Sequence, residues 1–83
     1  MKVTAKEFTS ADLYLSSALS ILLQIQPQFK VENGRALFIF PVSDALYGAL
    51  SDYNSGISIN AIEFVQTIKR LKSEMMLRRS IGK

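Results

Sequence analysis

The dipeptide Asn33-Gly34 separates two runs of strand-forming residues, Phe29-Lys30-Val31-Glu32 and Arg35-Ala36-Leu37-Phe38-Ile39-Phe40. Asn-Gly supplies the two positive-φ residues of a type I′ turn, whose twist matches that of the strands it joins. A two-residue turn leaves only one register. Glu32 then faces Arg35, Val31 faces Ala36, Lys30 faces Leu37 and Phe29 faces Phe38. Pro27 and Pro41 stand at the open end of the hairpin, where a missing N–H ends the ladder.

The register sorts the side chains into two faces. Phe29, Val31, Ala36, Phe38 and Phe40 share one; Gln28, Lys30, Leu37 and Ile39 share the other. The second strand is therefore apolar on both faces. Leu37 and Ile39 require a cover, either a helix of the same chain or another subunit.

On the N-terminal side, Thr9 or Ser10 reads as the N-cap of a helix from about Ser10 to about Gln24, with Asp12 at its positive end. Ala11, Leu15, Ala18, Leu19 and Leu22 form one face, and Leu13, Tyr14, Ile21 and Leu23 widen it. A helix this apolar is expected to be central or covered on two sides. Ser43 reads as the cap of a second helix, to about Tyr53, with Val42, Leu46, Ala49, Leu50 and Tyr53 inward. Asn54-Ser55-Gly56 ends it. Ile57-Ser58-Ile59 alternates like a short third strand, and Asn60 with Glu63 resembles a capping box. The third helix is expected from about Ala61 to about Arg79, with Ala61, Phe64, Val65, Ile68, Leu71 and Met75 as its inner stripe.

These elements predict an α+β fold in the order helix, β-hairpin, helix, short strand, helix, with a small antiparallel sheet packed against helices. The 83 residues fit one domain, with residues 1–8 as a lead-in and 78–83 as a frayed tail. A chain of this size buries only about 60% of its unfolded surface, so modest stability is expected unless a partner covers more.

The sequence contains no cysteine and no histidine. That removes disulfides, thiolate nucleophiles, the commonest general base and the commonest metal ligands. Ten serines are present, but no histidine can activate one. Asp44 and Asp52 lie ~12 Å apart along one helix, and the four glycines are too scattered for a phosphate loop. The expectation is a non-enzymatic protein with no cofactor, no metal and no small-molecule substrate. Leu13–Leu23 is too short and serine-rich for a membrane span, and no cleavage site follows it; a cytoplasmic protein without membrane contact is expected.

Charge is unevenly distributed. Residues 1–68 hold four cations and six acids, a net of −2. Residues 69–83 hold six cations against Glu74, a net of +5. Lys69, Arg70, Lys72, Arg78 and Arg79 are thus candidate phosphate contacts for DNA or RNA. They suit better a solvated helix end, where cations complement the dipole. Leu37 and Ile39, with Tyr47 as the freest tyrosine, are the candidate interface residues. The leading expectation is a binding or assembly module that joins itself or another protein through the hairpin edge. The alternative is a nucleic-acid accessory protein using the basic helix.

Phe8-Thr9-Ser10-Ala11-Asp12-Leu13-Tyr14-Leu15, Phe38-Ile39-Phe40, Asp52-Tyr53-Asn54-Ser55-Gly56-Ile57, Phe64 and Leu71-Lys72 resemble an uncharacterised domain family of small, stand-alone prokaryotic and phage proteins. The strongest part is the Thr-Ser-x-Asp-Leu-Tyr-Leu opening, and the resemblance runs from about Lys6 to about Glu74. Members often carry Trp-Asn-Gly after the tyrosine, where this chain has Asn54-Ser55-Gly56. The resemblance implies one cytoplasmic domain and brings no activity or catalytic residues.

Overall fold

A computed structural model describes residues 6–81. The elements follow the order β1 (Glu7–Ser10), α1 (Leu13–Leu23), β2 (Gln28–Glu32), β3 (Arg35–Pro41), α2 (Asp44–Asn54) and α3 (Ala61–Ile81). Three antiparallel strands in the order β1-β3-β2 pack against the helices, an α+β fold.

The hairpin has the expected register, from Glu32 opposite Arg35 to Phe29 opposite Phe38. Asn33 and Gly34 take φ values of 54° and 77°, as a type I′ turn demands. The third strand comes from elsewhere than expected. Ile57-Ser58-Ile59 forms no strand, because alternation without a neighbouring strand leaves its backbone groups unpaired. Glu7–Ser10, expected to be lead-in and helix cap, instead pairs with β3 so that Phe8 faces Phe40 and Ser10 faces Phe38. Residues 1–5 of that lead-in lie outside the described residues.

This shift moves the start of α1. Its N-cap is Asp12, whose carboxylate accepts the N–H groups of Tyr14 (2.9 Å) and Leu15 (3.1 Å). The Ser10 hydroxyl accepts the Asp12 N–H at 3.0 Å, so it supports the cap from one step outside. Gln24 ends the helix at φ 56°, and the Ser20 hydroxyl donates to the Ile25 carbonyl at 2.6 Å. The other two helices start as expected: Ser43 caps α2 through the Leu46 N–H, and Asn60 accepts the Glu63 N–H at 2.9 Å. α3, expected to about Arg79, runs to Ile81; Gly82 and Lys83 lie outside the described residues.

α1 is the central helix, contacting α3, α2 and β1. Its middle, Ser16-Ser17-Ala18-Leu19-Ser20, is buried throughout. Small side chains there let neighbouring backbones approach closely. The core joins Leu19 of α1, Phe38 and Phe40 of β3, Leu46 and Ala49 of α2, and Leu71 of α3. All three helices therefore lie on the phenylalanine face of the sheet. The least extent of the fold, 17 Å between Cα atoms, accommodates one sheet and one helical layer ~10 Å apart. Among the described residues, no helix lies on the reverse face of the sheet.

α3 is rotated from its expected stripe. Phe64, Ile68, Leu71 and Met75 turn inward, but Thr67 is buried while Ala61 and Val65 are exposed.

Candidate functional site

β3 is the central strand, so Leu37 and Ile39 stand at the middle of a sheet face and not at its edge. The sequence reading places them at a hairpin edge; instead β1 occupies the second side of β3. Ile39 lies between Thr9 of β1 and Gln28 of β2, and Leu37 lies beside Lys30. Both are half-buried by these neighbours. Alternation places Glu7 and Pro41 at one end of the same face and Glu32 and Arg35 at the other. Lys30 and Glu32 form an ion pair at 3.4 Å. Among the described residues, Glu7 and Arg35 have no ion-pair partner. Tyr47 is 59% exposed on α2, within the helical layer, and is not brought together with Leu37 and Ile39.

The five cations of α3 diverge. Arg70 and Arg78 line a trough of about 500 Å³ with Gln26, Gln28, Phe29 and Glu74. There Arg70 donates to the Gln26 Oε1 at 3.2 Å. Arg78 pairs with Glu74 at 3.4 Å, and its guanidinium carbon stands 5.4 Å from the centre of the Phe29 ring. Arg79 instead donates to the carbonyl of Gly34 at 3.1 Å. Lys69 and Lys72 are exposed, and helical geometry turns them ~160° and ~100° from buried Leu71. Three guanidiniums thus meet acceptors or a ring of the chain itself, and the two lysines face away from the trough.

Two features lie outside the expected sites, and the second includes Val65, expected on the inner stripe of α3. Tyr14, Tyr53, Ile57, Ile59 and Phe64 line an apolar cleft of about 360 Å³. It joins the first turn of α1, the last turn of α2 and the start of α3, which no sequence window could relate. The second feature is the outward face of α3, where Ile62 (70% exposed), Val65 (48%), Met76 and Leu77 (55% each) stand in solvent. Their 3.6-residue periodicity was legible, but it marks a stripe without saying which of two stripes turns inward.

Among the described residues, no helix is long and apolar enough to cross a membrane, and no three acidic side chains group as metal ligands. No family model, curated protein or solved structure matches the chain.

Proposed function

We propose that the chain is a non-enzymatic assembly module that pairs with a second copy of itself through the open face of its sheet. The observation that carries this reading is the one-sided layering. Leu37 and Ile39 sit in the central strand, and every helix lies on the opposite face.

The charge pattern supports self-pairing. With Lys30 and Glu32 paired, Glu7 remains at one end of the face and Arg35 at the other. The six steps of β3 from Arg35 to Pro41 separate those ends by ~20 Å. A two-fold axis across the strands sets Leu37 and Ile39 against their counterparts and each Glu7 against the other copy's Arg35. An axis along the strands would set Arg35 against Arg35, which like charge opposes. The face covers roughly 300 Å² per copy, well below the ~800 Å² of a stable interface. The pairing is therefore weak and concentration-dependent.

The alternative, a nucleic-acid accessory role for Lys69, Arg70, Lys72, Arg78 and Arg79, has less support. Glu74 lies between Arg70 and Arg78, and the lysines point elsewhere.

Sedimentation velocity from roughly 10 µM to 1 mM tests the reading, a range that covers weak association. The expected result is a rise in mean mass that Leu37→Lys abolishes without unfolding. Glu7→Arg and Arg35→Glu should each weaken it, and the two together should restore it. A monomer across the range, or self-association indifferent to these changes, would overturn it.

A further inference from the structure

The outward face of α3 has an order beyond exposure. Ile62, Val65, Lys69, Lys72 and Met76 follow spacings of three, four, three and four residues, the a/d pattern of a helix-pairing seam. All five are exposed, and the seam covers 14 helical steps, ~21 Å. Its ends are apolar and its centre is two lysines. Leu77 widens the apolar end beside Met76.

The central lysines decide what can lie on this seam. A second α3 in parallel would set Lys69 against Lys69 and Lys72 against Lys72. A second α3 in antiparallel, centred on the seam, would bring four ammonium groups together. Either leaves desolvated like charges, which is strongly unfavourable. The segments outside the described residues, Met1 to Ala5 and Gly82 to Lys83, contain lysine and no acid, so they fail the same test.

We infer that the outward face of α3 receives an amphipathic helix of another protein, apolar at both ends of its seam and carrying carboxylates at the centre. Each carboxylate meets one lysine, and the flanking apolar side chains cover Ile62, Val65, Met76 and Leu77. The lysines set the register, because sliding by one heptad strips them of partners. This surface lies in the helical layer, away from Leu37 and Ile39, so its occupation is independent of the pairing proposed above.

Two synthetic helical peptides of three heptads serve as probes, with leucine at the outer a and d positions. One carries glutamate at the central a and d positions and the other carries lysine. Titration against the full chain by anisotropy should favour the glutamate peptide roughly tenfold or more. In the Lys69→Glu/Lys72→Glu protein the preference should reverse, and both sites are exposed enough for the protein to fold. Met76→Glu should weaken the glutamate peptide and leave the sheet-face association unchanged. Equal affinity for the two peptides, or no binding of either, overturns the inference. Binding to phosphatidylserine vesicles that Met76→Glu abolishes, with no peptide preference, also overturns it and identifies a lipid surface instead.

Discussion

Arg79 donates its Nε–H to the carbonyl oxygen of Gly34 at 3.1 Å, joining the last turns of α3 to the tip of the hairpin across 45 residues of sequence. Its neighbour Arg78 lies over the Phe29 ring of β2. Adjacent arginines thus hold the helix end to two points of one hairpin. Exposed contacts of this kind contribute about 0.5–1 kcal/mol each. Arg79→Ala should therefore lower stability only slightly. It should speed amide exchange in the final turns of α3 and at Asn33-Gly34, and exchange in α1 should stay as it was.

Ser16 and Ser20 are both buried on α1, with opposite consequences. Ser20 donates to the Ile25 carbonyl, whereas the Ser16 hydroxyl has no partner among the described residues. An unpaired buried hydroxyl costs roughly 1–3 kcal/mol, and a made hydrogen bond returns about 1 kcal/mol. Urea unfolding should show Ser16→Ala stabilising the protein by about 1 kcal/mol and Ser20→Ala destabilising it by a similar amount. A loss on Ser16→Ala would contradict this.

Asp12 accepts two backbone N–H groups at the start of α1, while Thr9 lies in β1 beside Ile39. Replacing the cap, Asp12→Ala, should cost about 1 kcal/mol. Thr9→Ala removes no cap and should cost a few tenths by comparison. Thermal melts of the two variants separate the two positions.

Leu37 and Phe38 are one residue apart and on opposite faces. Phe38 is fully buried in the core and meets Phe29 edge to face at 5.2 Å. Phe38→Ala should cost about 3–5 kcal/mol, enough to unfold much of a domain of this size. Leu37→Ala should cost about 1 kcal/mol in dilute solution, because Leu37 is only half-buried and no described helix covers its face. Comparable losses would place a cover on the outer face.

The scattered cations predict a weak response to polyanions. Anisotropy of labelled DNA and RNA pools should show little binding at ~50 mM salt, and a tenfold or greater loss by ~200 mM would instead signal several phosphate contacts. Such a loss, removed by Arg78→Ala/Arg79→Ala, would restore the basic helix as a nucleic-acid site.

What could be read in advance was whatever is specified over a few residues. Asn33-Gly34 admits one turn, and that turn sets the whole hairpin register. Ser43 and Asn60 begin α2 and α3, each accepting the N–H three residues on, as their local spacing predicts. The start of α1 is ambiguous in sequence because Thr9, Ser10 and Asp12 all have cap chemistry, and only pairing with β3 tells which of them is in a strand. Four residues are too few for periodicity to reveal β1. The rotation of α3 buries Thr67 and exposes Val65, an exchange of a polar for an apolar side chain that helical spacing does not reveal. Leu37 and Ile39 were recognised as needing a cover, but their place at the centre of a sheet followed only from β1.

The strand order has a kinetic side. The hairpin closes through a two-residue turn and can form in microseconds, whereas β1 reaches β3 only across some thirty residues and the whole of α1. The shortest strand thus guards the most apolar one. When β1 peels away, the released edge of Phe38, Ile39 and Phe40 can accept the β1 of a neighbouring molecule in place of its own. Strand exchange between copies, reversible when sparse and self-propagating when crowded, is the failure mode that this topology builds in.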